Sequence, residues 1–303
     1  MSATYLLSAH APKIKVQAAL LAHDEIEDWD PELVITGREI AEDRPEEWVL
    51  EGYYPRKPTA AQKKAMASLF AGKVPDIKAQ KLKEQDWLAL SQQGVQPIRA
   101  GKFYVHTPDF EPDPNAINFT IPAAQAFGTG QHETTAGCLE MLEVVKRSGL
   151  VARRIADIGT GTGLLAFAAM QLWPRARATA SDIDPVCADV VLDNAAMNSI
   201  AVGAGSGALT MVIADGMHDP LLSLRGPYDL LIANILAGPL VDLAPDFAAA
   251  VAPKGSLVLA GLLAGEQERQ VRRAYARAGF RPRARLQRGD WAILWMRRRA
   301  QIA

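Results

Sequence analysis

The sequence predicts an α/β protein: a small α+β unit followed by a larger unit built on a doubly wound, mostly parallel sheet. Three observations predict it. From Arg154 onward, five short apolar runs of strand length are interleaved with four stretches of helical periodicity, and the chain then closes with a hairpin. The first of those runs empties into a glycine turn, Gly159-Thr-Gly-Thr-Gly163. Ahead of residue 86 the order is strand-helix-strand-strand-helix-strand, a ferredoxin-like α+β arrangement.

Each element has its reason. Thr4 to His10 reads as a strand, and Ile14 to Ala22 carries apolar residues at helical spacing. Glu32 to Arg38 and Glu47 to Tyr54 read as strands, the second on Trp48, Leu50 and Tyr53. Pro58 to Ala71 opens on Thr59 and reads as a helix, and Ile77 to Gln85 as the last strand of the unit. The unit, 1–85, contains no glycine loop or catalytic constellation and reads as a recognition module. Residues 86–101, with Gly94, Pro97 and Gly101, read as a linker. In 102–303, Lys102 to His106 and Ala116 to Ile121 are strands around a proline-rich turn, and Thr135 to Lys146 is a helix. Strands follow at Ile155–Ile158, Ala176–Ile183, Leu209–Ala214, Tyr228–Asn234 and Ser256–Ala260. Helices are expected at Leu164–Leu172, Pro185–Asn198, Pro239–Val251 and Glu266–Gly279. Arg283–Arg288 and Trp291–Arg297 are joined by Gly289-Asp290, a hairpin signal.

Composition excludes several classes. The 303 residues are 49% hydrophobic and 22% charged, an ordinary globular balance with net charge −1. Acids crowd between Asp24 and Glu51, and arginines crowd the end from Arg272 to Arg299. The two cysteines, Cys138 and Cys187, lie far apart, so no disulfide framework is expected and a cytoplasmic location is the default. No apolar run reaches the ~18 residues of a membrane helix, so no membrane association is expected. The five histidines lack metal-ligand spacing, so no metal is expected.

The glycine turn is the centre of the functional reading. Glycines at alternate positions permit φ > 0 and let a ligand approach the backbone. The helix after them points its free N–H groups at the turn. The spacing does not fit the dinucleotide fingerprint, because Leu164 stands where the third glycine belongs, and no Lys-Ser/Thr pair makes a P-loop. What remains, Asp157-x-Gly-x-Gly-x-Gly163, points to another nucleoside-bearing cofactor. Asp182 ends the next strand about 20 residues on, where a carboxylate can accept from ribose hydroxyls. Asp184 suits the competing role of helix cap better. Asp215 ends the third strand, as a base-reading acid or as part of an Asp-Gly turn. Asn234 ends the fourth, where an amide can orient an amine or the cofactor, or form an Asx turn. Thr129, His132, Thr134 and Thr135 lie on a polar loop leading into a helix, with Phe127 as a lid, and its hydroxyls and free N–H groups suit a carboxylate.

Taken together, Phe127-Gly-Thr-Gly-x-His-x-Thr-Thr135, Asp157-x-Gly-x-Gly-x-Gly163, Asp182-Ile-Asp-Pro185 and Asn234-Ile-Leu-Ala-Gly-Pro-Leu240 resemble the PrmA family, the bacterial methyltransferases of ribosomal protein L11. The resemblance covers nearly the whole chain, more weakly in the N-terminal unit. It implies a Rossmann-like seven-stranded domain that binds S-adenosyl-L-methionine (SAM), and an N-terminal unit that grips the substrate. It implies trimethylation of lysine side chains and the α-amino group of L11, free or on the large ribosomal subunit, with SAM contacts at Thr135, Gly159, Asp182 and Asn234, to which the glycine-turn and strand-end readings add Gly161 and Asp215 as cofactor-binding candidates. Asn234 and His132 are the candidate catalytic residues, none being assigned. Thr160, Thr162 and Glu133 depart from the family's more frequent Cys, Ser and Pro. The alternatives are a methyltransferase of another protein's lysines, such as an electron-transfer flavoprotein, or a SAM-binding or RNA-binding module without turnover. The arginine-rich end adds the expectation of a weak contact with ribosomal RNA.

Overall fold

A computed structural model of the chain describes residues 5–24, 26, 29, 33–40, 44, 46–54, 56–81, 96–122 and 131–300. It forms two compact units, Met1–Gly94 and Val95–Ala303.

The first unit runs β1 (Tyr5–Pro12), α1 (Lys13–Asp24), β2 (Val34–Glu39), β3 (Glu47–Tyr54), α2 (Ala60–Ser68) and β4 (Ile77–Lys81). Its antiparallel sheet has the order β2-β3-β1-β4, the ferredoxin-like arrangement. Leu7, Ala9, Leu50 and Tyr54 alternate onto one face and bury against Val16 and Ala19 of α1 and Met66 of α2. Thr59 caps α2 reciprocally: its Oγ1 accepts from the Gln62 N–H at 3.2 Å, and its own N–H donates to Gln62 Oε1 at 3.0 Å.

The second unit opens with three short strands, β5 (Ile98–Ala100), β6 (Phe103–His106) and β7 (Ile117–Thr120), in a sheet of their own. This corrects the expected linker. Residues 98–100 pair antiparallel with β6, with Ile98 and Ala100 turned inward, and the 86–95 part of the expected linker lies outside the described residues. An alternation three residues long, between Pro97 and Gly101, is too short to read from sequence. The long helix α3 (Gln131–Arg147) anchors this sheet, because Glu143 accepts from the Lys102 N–H at 2.6 Å.

The large sheet comprises β8 (Arg154–Ile158), β9 (Arg177–Asp182), β10 (Leu209–Ile213), β11 (Tyr228–Asn234), β12 (Val251–Leu263), β13 (Phe280–Arg288) and β14 (Trp291–Arg298). Its order is β10-β9-β8-β11-β12-β14-β13, parallel except for the closing hairpin. Between the strands lie α4 (Leu164–Leu172), α5 (Val186–Met197), α6 (Pro220–Arg225), α7 (Ala237–Asp242), α8 (Ala244–Ala250) and α9 (Glu266–Arg277). One face buries Ile155, Leu230 and Ile232 against α3 and Phe167 of α4. The other buries Ala156, Leu231 and Leu257 against Phe247 of α8 and Tyr275 of α9. The strand order reverses between β8 and β11, and the crevice at that switch is where such sheets bind ligands.

Three local expectations change. The single helix over 239–251 is two, α7 and α8, broken at Leu243 with Pro245 in the first turn of the second. Helix α6 was not expected, being six residues long; Asp219 caps it by accepting from the Leu221 N–H at 2.7 Å. Strand β12 runs well past 256–260, because a bulge between Leu259 and Leu262 lets it continue to Leu263. No helix among the described residues is long and apolar enough to cross a membrane.

Candidate active site

The carboxyl ends of β10, β9, β8, β11 and β12 form one edge, and the register aligns the expected residues along it. Ile158 stands beside both Ser181 and Ala233, so Asp182, Gly159 and Asn234 follow at one level on adjacent strands. Ile213 pairs with Asp182 and Ala260 with Asn234, extending the row on both sides. Two strand spacings separate the backbones at Asp182 and Asn234, about 10 Å.

The turn after β8 is left-handed at all three glycines: φ is 69° at Gly159, 55° at Gly161 and 84° at Gly163. The Gly159 and Thr160 N–H groups both donate to the Ser181 carbonyl, at 2.8 and 2.9 Å. The three glycines differ in what they exclude. A Cβ at Gly159 would strike the Ile235 side chain, and one at Gly163 would come within 2.6 Å of Phe167. A Cβ at Gly161 would meet nothing within 4 Å among the described residues. Packing among them demands the outer two glycines and not the middle one.

Asp182 closes this turn from the neighbouring strand. Its Oδ2 accepts from the Gly161 N–H at 2.8 Å and its Oδ1 from the Asp184 N–H at 3.1 Å. The capping role goes to Asp184, whose Oδ1 accepts from the Val186 N–H at 2.9 Å. Beneath the turn lies Asp157, which opens the glycine motif but carries no role of its own in the sequence reading. Asp157 is buried, and its Oδ2 accepts from the Thr160 hydroxyl at 2.7 Å and from the Ala166 N–H at 3.1 Å. Burial pushes its pKa up to about 6; the bonds from Thr160 and Ala166 oppose the shift, and the charge of Asp182 adds to it. The available signal was an Asp with Thr three positions on, straddling the strand end.

Asp215 is exposed just beyond β10. The Ala214 N–H donates to the Asp182 carbonyl at 2.8 Å, which carries the loop beside the glycine turn, and the His218 N–H closes a turn on the Asp215 carbonyl at 3.0 Å. No Lys or Arg pairs with Asp182 or Asp215 among the described residues. Both carboxylates therefore keep acceptor sites for hydroxyl or amine donors.

Asn234 Nδ2 donates to Thr134 Oγ1 at 3.4 Å, joining the end of β11 to α3. Ile235, the next residue, is confined twice: against Gly159, and with its backbone against Gly261 of the β12 bulge, where φ is 83°. Helix α3 begins at Gln131, four residues before its expected start. The free first-turn N–H groups therefore belong to 131–133, and the N–H of Thr135 lies within the helix. Thr135 is half-buried. His132 lies in the first turn with its side chain outside the described residues, as are Phe127 and Thr129 altogether.

The structure thus gathers Gly159, Gly161 and Asp182 in one cluster, sets Asp215 beside it through Ala214, and ties Asn234 to it through Ile235. A backbone turn with room above Gly161, bordered by a carboxylate, suits the hydroxyl-bearing nucleoside of SAM. This sheet, with its antiparallel strand inserted before the edge and this site at its switch point, defines a SAM-dependent methyltransferase.

The family model described as ribosomal protein L11 methyltransferase (PrmA) matches residues 13–299, and the chain belongs to that family. The ribosomal protein L11 methyltransferase of Rhizobium meliloti (strain 1021) is 43% identical over 224 residues, 73% of this chain and 74% of that one. The Agrobacterium fabrum (strain C58 / ATCC 33970) protein of the same name is 36% identical over 273 residues, 89% and 90% of the two chains. Among solved structures, a ribosomal protein L11 methylase from Lactobacillus delbrueckii subsp. bulgaricus superposes with a TM-score of 0.57 at 25% identity, over 67% of this chain and 98% of that one.

Proposed function

We propose that the chain transfers methyl groups from SAM to ribosomal protein L11, trimethylating lysine side chains and the α-amine in the cytoplasm. The observation that carries this reading is the level row of Gly159, Asp182 and Asn234, with the Gly161 N–H held by Asp182. It provides a nucleoside cradle at one end and an amide at the other. Asp182 would accept from the ribose hydroxyls, Asp215 from the base amine, and the turn at Gly159 and Gly161 would flank the amino-acid part. The first turn of α3 would hold the cofactor's carboxylate, with the Thr135 hydroxyl alongside. The ferredoxin-like unit, 1–85, would grip the acceptor protein. The catalytic unit then begins at β5 and not at residue 102.

SAM supplies an already activated methyl group, so the protein's work is placement. A lysine amine is protonated at pH 7, and freeing its lone pair costs about 4–5 kcal/mol. A dry setting disfavours the ammonium and recovers part of that cost. With Nδ2 of Asn234 committed to Thr134, its carbonyl oxygen is left to accept from the amine and orient it. No dedicated general base is needed, and water takes the proton. Three successive transfers require the amine to rotate, which a single hydrogen-bond acceptor allows. The test is incubation of the purified chain with labelled SAM and undermethylated L11, free and on large subunits, followed by intact-mass analysis. Successive one-methyl increments on L11 are expected; label appearing only on other proteins would overturn the reading. A contact with ribosomal RNA belongs to the same reading.

A further inference from the structure

The large sheet is polarised. Its carboxyl-edge loops hold Asp182, Asp184, Asp215, Asp219 and Asp290. The loops of the opposite, amino edge, over 148–154, 173–177, 198–209, 225–229, 251–256, 278–283 and 297–300, hold one acid, Asp229, among many arginines. Asp229 is already committed, accepting from the Arg153 and Arg154 N–H groups at 2.8 and 3.0 Å.

The arginines of the sheet and α9 divide the same way. Towards the carboxyl edge, Arg269 pairs with Glu266, Arg272 and Arg285 with Glu268, and Arg288 with Glu140. At the amino edge, Arg177, Lys254, Arg281, Arg283, Arg297 and Arg299 have no carboxylate partner among the described residues. Arg281 stands directly opposite Arg297, and Arg154 opposite Arg177. Like charges facing each other across strands cost stability. Arg154, Arg283 and Arg297 have structural work, on the Gly226 carbonyl, the Trp295 ring and the Lys254 carbonyl, whereas Arg177, Arg281 and Arg299 have no such side-chain contact among the described residues. Protection of an exposed strand edge accounts for basic residues on β13 alone, not for Arg177 on β9 or Lys254 on β12. From β9 to β13 the band crosses five strand spacings, about 24 Å.

We propose that this amino edge binds the phosphate backbone of RNA while the opposite edge performs the transfer. The inference rests on the acceptor being a ribosomal protein, whose native surroundings are RNA. Guanidinium groups match phosphates in a two-point fork, and the band is arginine with a single lysine among the six. A polyanion of duplex charge density fits an array of this width better than scattered carboxylates do.

The test uses the full chain, a labelled short RNA duplex and fluorescence anisotropy across a salt series. The comparison is the triple variant Arg177→Gln, Arg281→Gln, Arg299→Gln, three exposed side chains at both ends of the band. The wild type is expected to bind with affinity falling steeply in salt. The variant should lose about 2.7 from the log–log slope, and its affinity should drop at least tenfold. Its melting temperature and its methylation of free L11 should stay at wild-type values. Absence of salt-dependent RNA binding, an unchanged slope in the variant, or equal displacement of the RNA by polyglutamate would overturn the inference. If wild-type protein methylates free L11 in any of those cases, the proposed function survives and only this surface is rejected; if it does not, the function itself fails.

Discussion

Replacing Gly161 by alanine separates what the glycine turn does for the fold from what it does for a ligand. At φ 55° the new Cβ pays the left-handed penalty, about 1–2 kcal/mol. No further steric cost arises from the described residues, none of whose atoms lies within 4 Å of it. In a unit of this size that loss lowers the melting temperature by about 2–8 °C. The Gly161 N–H can still donate to Asp182, so the turn keeps its shape. If the cofactor sits as proposed, the methyl group would occupy the space where it approaches the backbone, and SAM affinity should fall about 10- to 100-fold, or about 1.4–2.7 kcal/mol. Gly149→Ala is the matched control. It has φ 85° and open space as well, but lies on the loop before β8, at the other edge of the sheet. Titration calorimetry with SAM and thermal melts on both variants decide the matter. If both melt early by similar amounts and Gly161→Ala still binds SAM within twofold of wild type, the cradle is not where the cofactor sits.

Three further perturbations probe the same edge. Asp157 has its pKa raised to about 6 by burial, against about 4 in the unfolded chain. A raised carboxylate contributes stability that is fully present below pH 4 and is lost as pH rises through 6, roughly 3 kcal/mol in all. Urea unfolding of wild type and Asp157→Asn at pH 4 and pH 7 should show the difference between them changing by about that much in the variant's favour, and a pH-independent difference would contradict the burial argument. Asn234→Ala should lower kcat for methyl transfer about 10- to 100-fold with little change in SAM affinity, and a kcat within threefold of wild type would remove the amide from the mechanism. Gly261→Ala places a Cβ 2.7 Å from the Ile235 carbonyl carbon at φ 83°, so the backbone beside Asn234 must move; stability should fall by about 2–4 kcal/mol and kcat more than KM. Steady-state kinetics with an unchanged kcat would show that the position of Asn234 is not critical.

Much of this architecture could be read from residue order alone, and the exceptions have physical causes. Strand β3 and helix α4 fall where their patterns end, because Tyr54 is followed by Pro55 and Leu164 is preceded by Gly163. Period and punctuation agree there. They disagree in 237–250, where an apolar, alanine-rich run reads as one helix although Pro245 restarts it. Strand β5 is three residues long, and its pairing depends on β6, which no local pattern reports. The site divides likewise. Asp182 and Asn234 are visible because strand ends in such sheets are predictable. Ile235 is invisible as a site component, since its role comes from two glycines distant in sequence, Gly159 and Gly261, that let the backbone close around it. The early start of α3 is hidden by a polar first turn that looks like loop.

The two carboxylates at the glycine turn divide its control. Asp157 grips from below, through Thr160 at the start of the turn and Ala166 in the helix after it, and the protein bears the cost of burying that acid in a raised pKa. Such a cost persists only if the turn must be rigid before any ligand arrives, because a turn shaped by the ligand would not need an internal anchor. Asp182 grips from the side with one oxygen on Gly161 and one on Asp184, and remains open to solvent. A carboxylate has about four acceptor sites, so two bonds to the backbone leave room for two hydroxyls without releasing the turn. The rigid half and the receptive half are thus separate residues on adjacent strands. Replacing the anchor should therefore weaken the fold and the cofactor site together, whereas replacing the receptor should weaken the site and leave the fold nearly intact.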